Sequence, residues 1–476
     1  MKNINLYLPI TSQPRELDSK MLLALFARDQ GLNPVLGYKS AFQARLRNLP
    51  PGVFLAHNAR QKSENLERLR KFGHRILVLD EEALVRQSDE IFLKKHPKDA
   101  FDCVDHILTW GEDDLRLWKR SGFDLRCDVS IAGNPRIDTM RKELHPIYAR
   151  DVADIHARFG RYVLLNTNFP TVNNLTPQGG GVRLAAWGLE GGGKQVEQDF
   201  LHNKRAMYEK FIETVPHLAD AISPLTLVIR PHPNEDHEPW KLAVIRSSNA
   251  HVVFEGGVVP WIMGASALVH NNCTTAVEAA VLGIPILNFR PWRSQFDNAL
   301  SHAFGRDCPD VESIVSTIRD IAEGRTPRRS AEQEKLLQHH IASVAGPFSC
   351  QRIVDIVTAS GQSLAGAPVQ SFLERSKTNL RLQWLWLKRF VRWYSSSRGR
   401  KKRRFLRERY PEIKLRKLDF AQLHYNEQQF DLLMRQFPPL TTAELDERIG
   451  RYANTLNRFH GFRSAIIANN LFTIVR

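Results

Sequence analysis

Long apolar runs are absent from this 476-residue sequence. No stretch approaches the ~18 consecutive apolar residues of a membrane-spanning helix, so the expectation is a soluble or peripheral protein. Cysteine is scarce, and Cys103, Cys127, Cys273, Cys308 and Cys350 lie far apart without CxxC or CxxH spacing. An odd, scattered set excludes a disulfide framework and a cysteine-rich zinc site, and fits a reducing compartment such as the cytoplasm. The 17 histidines include no HExxH, and His339-His340 falls in a polar helix, so no catalytic metal and no cofactor are expected. GxSxG and the phosphate-cradling GxxxxGKS or GxxxxGKT are missing, which removes the serine-hydrolase and Walker-loop readings. No short-period repeat is present. The opening MKNINLYLPITSQPRELD has too short an apolar core for a signal peptide and reads as a first strand.

Positive charge is plentiful and uneven. The formal net charge is +16, and residues 375–409 hold 14 Lys or Arg against Glu408 alone. The rest of the chain is close to neutral. A basic segment added to a neutral core argues against an enzyme that grips nucleic acid along its cleft, so no nucleic-acid partner is expected. The length points to two domains with an appendage.

Short β-type runs alternate with amphipathic stretches through the first half: NINLYLP (3–9), PVLGY (34–38), GVFLAH (52–57), RILVLD (75–80), HILTWG (106–111) and DVSIAG (128–133). The helical segments between them include SKMLLALFARDQG, with a stop at Gly31, and EDDLRLWKRSG, with acids first and bases last as the helix dipole favours. After a linking helix near 145–159 the pattern restarts with YVLLNTNF (162–169), a Gly-rich loop (178–193) and a long amphipathic helix near 196–222. LTLVIRPHP, HVVFEG, ALVHNN and IPILNF follow as strands. This predicts an α/β protein with two Rossmann-like, doubly wound parallel sheets facing a cleft, over 1–150 and 151–345, followed by a helical basic region over 346–476.

In open α/β sheets ligands bind beyond the carboxyl ends of strands, so chemistry is sought there. Arg230-Pro231-His232-Pro233 ends one strand, where two prolines fix the directions of an arginine fork and an imidazole suited to phosphate. The plain alternative is a rigid strand-to-helix turn. In HNNCTTAVEAAVLGIPILNF (270–289), Asn271 and Asn272 end a strand and Thr274 and Thr275 open a helix whose first-turn N–H groups suit an anion. Glu278 could accept both ribose hydroxyls, or could be a plain dipole-stabilising acid. Arg15, Glu16 and Asp18 follow the first strand, and Asn134 and Arg136 sit in a rigid turn at another strand end; each is a cleft candidate or a solvated loop residue.

The ordered set RELDSKMLLALFARDQG, PPGVFLAHN, RILVLDEEAL, VDHILTWGEDD, IAGNPRID, VLLNTNF, RPHP and NNCTTAVEAAVLGIPIL resembles the bacterial surface carbohydrate biosynthesis proteins. It is also similar to GT-B glycosyltransferases that use CMP-activated acidic sugars, such as sialyltransferases and Kdo transferases; polyglycerol-phosphate transferases share a related pattern. The resemblance implies a nucleotide-sugar donor held by Arg230, His232, Pro233, Asn272, Thr274, Thr275 and Glu278. Asp80-Glu81-Glu82-Ala83 looks like the acidic-acidic-Gly motif that supplies the base in bacterial sialyltransferases, with Ala83 standing where glycine is usual. It makes Asp80, Glu81 and Glu82 the catalytic candidates; a helix start enriched in acids is the bland alternative.

In LRLQWLWLKRFVRWY (380–394), Leu380, Trp384, Leu387, Val391 and Tyr394 share one helical face, and RGRKKRR follows. A Trp-rich amphipathic helix with polybasic flanks fits an anionic membrane surface, here through the stretch from Leu380 to Arg409; packing on the core is the alternative. The combined expectation is glycosyl transfer to a surface polysaccharide or lipid-linked glycan at the inner face of the bacterial cytoplasmic membrane. An epimerase acting on UDP-sugars and a non-catalytic membrane-docking scaffold are the rivals. Removal of the chain beyond about residue 370 is expected to spare nucleotide binding.

Overall fold

The computed structural model describes residues 4–60, 63–86, 88–97, 99–175, 193–325, 329–361, 387, 390–391, 393–411, 413, 426–468 and 470–476. Most of the predicted Gly-rich loop, together with Leu380 and Trp384 of the predicted membrane face, lies outside these residues.

Short Val/Ile/Leu-rich runs buried on both faces form parallel strands, the pattern expected when helices cover both sides of a sheet. The strands are β1 (Asn5–Ile10), β2 (Asn33–Tyr38), β3 (Gly52–Ala56), β4 (Arg75–Leu79), β5 (His106–Thr109) and β6 (Asp128–Ile131) in the first half. The second half has β7 (Tyr162–Asn166), β8 (Thr226–Arg230), β9 (Ala250–Val252), β10 (Ala267–His270), β11 (Ile286–Phe289) and β12 (Arg306–Cys308), and the chain ends with β13 (Arg463–Ala468) and β14 (Leu471–Val475). All eleven predicted strands are present. The unpredicted three are β12, only three residues long, and the terminal hairpin.

The second sheet runs β12-β11-β10-β7-β8-β9, all parallel. Read from its other edge, this is the Rossmann order, with its switch point between β7 and β10. The first sheet runs β13-β14-β2-β1-β3-β4-β5-β6, parallel from β2 to β6 with a switch point between β1 and β3. The predicted GT-B architecture is therefore the observed one.

The C-terminal region departs from a purely helical appendage. The Ser349–Gly361 helix returns to the first half, where the Asp138 carboxylate accepts the Ser349 and Cys350 N–H groups at 2.9 and 2.8 Å. The Thr442–Leu456 helix places Tyr452 Oη and Arg448 Nε on Asp18, at 3.0 and 3.2 Å. Finally β14 pairs antiparallel with β2, with Leu471 opposite Gly37. A side chain at Gly37 would collide with the Asn470 carbonyl, so glycine is what lets the hairpin dock. Docking there buries Leu471, Phe472 and Ile474, apolar surface that an undocked strand would leave exposed.

Candidate functional site

The two switch points open onto one cavity of about 530 Å³ between the halves. Thr11 and Ser12 reach it from the end of β1, and His57 and Asn58 from the end of β3. Asn166 and Thr167 come from β7, with Cys273, Thr274 and Thr275 from the turn after β10. Arg15, Glu16, Lys39, Glu81, Glu82 and Arg136 complete the wall of the first half; Arg230, His232, Pro233 and Glu278 complete that of the second.

In the second half the RPHP turn is held by a residue three positions beyond His232. The buried Glu235 carboxylate accepts Thr167 Oγ1 at 2.6 Å, Phe169 N at 2.9 Å, Trp240 Nε1 at 3.0 Å and His232 N at 3.2 Å. Burial pushes its carboxyl up, against the pull of those donors. His232 Nδ1 accepts the Asn234 N–H at 3.2 Å, so the neutral ring carries its proton on Nε2 and offers a donor. Burial and then the Arg15 charge hold its pKa down at about 4. The Thr275–Leu282 helix begins at the cavity, with Thr274 at its N-cap and no side-chain cap. The Thr275 hydroxyl rests on Cys273 Sγ at 3.0 Å.

Charge dominates the wall of the first half. Glu81 Oε1 lies 3.3 Å from Lys20 Nζ, and Glu81 Oε2 accepts Asn134 Nδ2 at 3.1 Å. Burial would raise the Glu81 carboxyl, but Lys20 and Arg136 outweigh it and hold it well below the ordinary range. Glu16 accepts the N–H groups of Thr11 and Ser12 at 3.1 and 3.3 Å, with His57 Nε2 3.6 Å away. Burial and then the Glu81 charge push the Glu16 carboxyl upward. His57 is held neutral, its pKa pushed down to about 3 by burial and Lys20. Glu82 pairs with Arg15 at 2.7 Å at the rim; burial works to raise its carboxyl, and Arg15 overcomes that and lowers it.

Several sequence-predicted residues stand elsewhere. Asp80 does not line the cavity; it grips Arg60 with two hydrogen bonds, 3.0 and 2.8 Å, and caps the Glu82 N–H at 2.8 Å. Asp18 faces a different pocket and is bound by Tyr148 Oη and Arg448. Asn134 acts one step back, capping the Arg136 N–H at 2.8 Å and donating to Glu81. Asn272 is a turn residue with φ 52°, its carbonyl taken by Asn168 and its side-chain oxygen by Asn298 N. Arg230 lines the cavity, but its guanidinium donates to the Glu255 and Gly256 carbonyls at 2.8 and 3.2 Å, so it braces a loop.

Glu16 stands at the cavity as the cleft-loop reading expected, whereas Lys20, His57, Lys39 and Glu235 were not among the predicted site residues. His57 and Asn58 end the strand GVFLA, so the strand-end rule that singled out RPHP also covers them. Lys20 carries no such signal, because it sits inside an apolar helical run and is 2% exposed.

Among the described residues no group of three or more His, Cys, Asp or Glu is placed to hold a metal ion, and no helix is long and apolar enough to cross a membrane.

No protein-family model and no curated protein matches the chain. Among solved structures, the wall teichoic acid polymerase TagF aligns over 76% of this chain and 90% of its own at 9% identity, with a TM-score of 0.50. S. aureus MnaA with UDP aligns over 78% and 100% at 12% identity, TM-score 0.47. The Methanocaldococcus jannaschii UDP-GlcNAc 2-epimerase with UDP-GlcNAc and UDP aligns over 75% and 100% at 10% identity, TM-score 0.47. At these identities the likeness is one of fold, and the fold is GT-B.

Proposed function

We propose that the chain is a glycosyltransferase that moves an acidic sugar from a CMP-activated donor to a surface polysaccharide or lipid-linked glycan. The observation that carries this reading is the convergence of both sheets' switch points on one cavity. There a neutral imidazole donor, a helix N-terminus and a buried carboxylate face a charged wall from the other half. His232 Nε2–H and the Thr274–Thr275 turn receive the donor phosphate, and Glu278 receives the ribose.

On the opposite wall, Glu16 is the proton acceptor for the attacking hydroxyl. A general base works best with a proton affinity near the operating pH, and Glu16 is the cavity carboxylate shifted that way. Glu81 and Glu82 are held too acidic by their cationic partners; Glu81 serves as the fixed negative charge that raises Glu16. His57 positions Glu16.

Leu387, Val391 and Tyr394 are 52%, 58% and 43% exposed beside the basic Ser397–Arg409 helix, which supports a peripheral attachment to anionic lipid. Leu387→Glu with Val391→Glu is expected to release the protein from anionic vesicles; undiminished cosedimentation would refute the attachment.

The crowding of Glu16, Glu81, Glu82 and His57 in the cavity also favours a second reading, epimerisation of a UDP-sugar, which needs no acceptor. CMP is expected to raise the melting temperature more than UDP does, and turnover is expected to require added glycan. Stabilisation by UDP alone, with donor consumed in the absence of acceptor, would install the epimerase reading. No shift with either nucleotide would remove both.

A further inference from the structure

Arg136 is 3% exposed and lines the cavity, yet none of its three guanidinium nitrogens has a hydrogen-bond partner among the described residues. Its ion-pair partner within reach is Glu278 on the far wall, with Nε 3.2 Å from Oε1; Glu278 Oε2 likewise has no hydrogen-bond partner. The guanidinium lies over the Trp110 ring, 5.4 Å from its centroid, and the indole is pinned to the Asp80 carbonyl at 2.8 Å. Asn134 caps the backbone just before it. The arginine is thus rigidly delivered, stacked and charged, with a planar fork of donors unused. Glu278, Glu81 and Glu82 balance its charge, but no acceptor completes the fork, and buried donors left without hydrogen bonds are costly.

A few ångströms of chain away from Glu278, the helix beginning at Thr275 presents its N-terminus to the same cavity. Glu278 is the first-turn acid of that helix, so one residue separates the arginine from the helix dipole. A carboxylate cannot match three oxygens arranged around phosphorus; a phosphate can take the guanidinium fork and a helix-terminal N–H together.

We propose that Arg136 and the N-terminus of the Thr275–Leu282 helix form one phosphate site spanning both halves, masked by Glu278 until a ribose engages that carboxylate. This rests on the donor-site reading above and adds a mechanism to it. The ribose draws Glu278 away from Arg136, the phosphate replaces it, and the exchange ties the two halves together only when an intact nucleotide is present. A nucleoside lacks the anion and free phosphate lacks the key, so each alone binds weakly.

The test is calorimetric titration of the full chain with CMP, cytidine and inorganic phosphate. Glu278→Gln keeps the side chain's volume and an acceptor for Arg136 but removes the competing charge. It is expected to bind CMP less tightly and inorganic phosphate roughly tenfold more tightly, a coupling of ordinary allosteric size. Arg136→Lys keeps the charge but lacks the fork; it is expected to lose phosphate binding in the Glu278→Gln background and to bind cytidine as the parent does. Phosphate affinity unchanged or weakened by Glu278→Gln, in protein whose melting temperature shows it folded, would overturn the masking. If Glu278→Gln fails to fold, Arg136→Lys alone decides: equal loss of CMP and cytidine binding would overturn the phosphate role. Failure of the parent protein to bind CMP would instead strike the donor-site reading, while the phosphate titrations still judge Arg136.

Discussion

The two walls of the cleft are built on the same kind of scaffold and use opposite physics. On the side of the second sheet, Glu235 gathers five donors and turns them into a rigid frame, so that His232 arrives neutral and oriented. On the side of the first sheet, Glu16, Lys20, Glu81, Arg15 and Glu82 are ionisable groups packed within reach of one another, each setting its neighbour's proton affinity. A turn framed by hydrogen bonds, as Glu235 frames the His232 turn, suits binding, because it holds its donors in a fixed geometry. A wall of coupled charges suits proton transfer, because moving one proton alters every neighbour. A doubled Rossmann-like layout therefore does not imply doubled function.

If that division holds, the largest effect belongs to the charged wall. Lys20→Met leaves Glu81 buried without its main counter-ion and is expected to destabilise the fold by about 3–5 kcal/mol in denaturant titration. Thr274→Ala on the other wall should stay within ~1 kcal/mol; equal losses from the two would erase the contrast.

Glu16→Gln comes next. Turnover is expected to drop by roughly 10²–10⁴-fold while nucleotide affinity holds, as removal of a general base does. A variant that loses affinity and keeps its maximal rate would move Glu16 to the binding wall.

The third expectation concerns pH. Asp114, in the first half, accepts the Trp110 N–H at 3.1 Å, and burial pushes its carboxyl up to about 7. A carboxyl raised by folding stabilises the fold fully below its unfolded pKa, and that contribution is lost as pH rises through the folded value. The Asp114 contribution should accordingly fall between about pH 5 and 8, by on the order of 2 kcal/mol, while His57 and His232, buried neutral, contribute in the opposite sense as pH rises through the ordinary imidazole range. The parent's stability advantage over Asp114→Asn should therefore shrink across that window. An advantage over Asp114→Asn that grows with pH across that window would contradict the sign.

The smallest effect is expected at His232→Ala, where loss of one hydrogen bond weakens nucleotide binding about tenfold and leaves stability within ~0.5 kcal/mol. A large fall in melting temperature would show that the ring is structural, as Arg230 is.

The C-terminal region alters one expectation drawn from the sequence. Arg435 donates to the Glu235 carbonyl at 3.0 Å and Gln436 Nε2 to Asn234 at 3.0 Å, so the Glu427–Gln436 helix touches the very turn that carries His232. Removing the chain beyond residue 370 would strip those braces and the β13–β14 edge of the first sheet together. On the donor-site reading, the expectation becomes that this deletion weakens nucleotide binding.

Much was legible without coordinates. Buried parallel strands read as continuous apolar runs and helices as periodic ones; the strand-end rule then led to His232, Thr274, Thr275, Glu278 and Arg136 at the cavity, and the family resemblance to Glu81 and Glu82. The strand-end rule also selected Asp18 and Asn272, and the resemblance Asp80, because neither proximity to a strand end nor a motif match says which way a side chain turns. Asp80 points back to Arg60 and Asp18 to Arg448, and both choices depend on partners distant in sequence.

Local pattern thus determined the α/β alternation, the two-sheet outline and the loops that meet the cleft, since those depend on residues a few positions apart. Tertiary structure alone decided the protonation landscape. Lys20 faces Glu81 across 61 residues, Arg136 faces Glu278 across the cleft, and β14 finds β2 from the far end of the chain. Such pairings are set by burial and distance in space, which no periodicity in the sequence records.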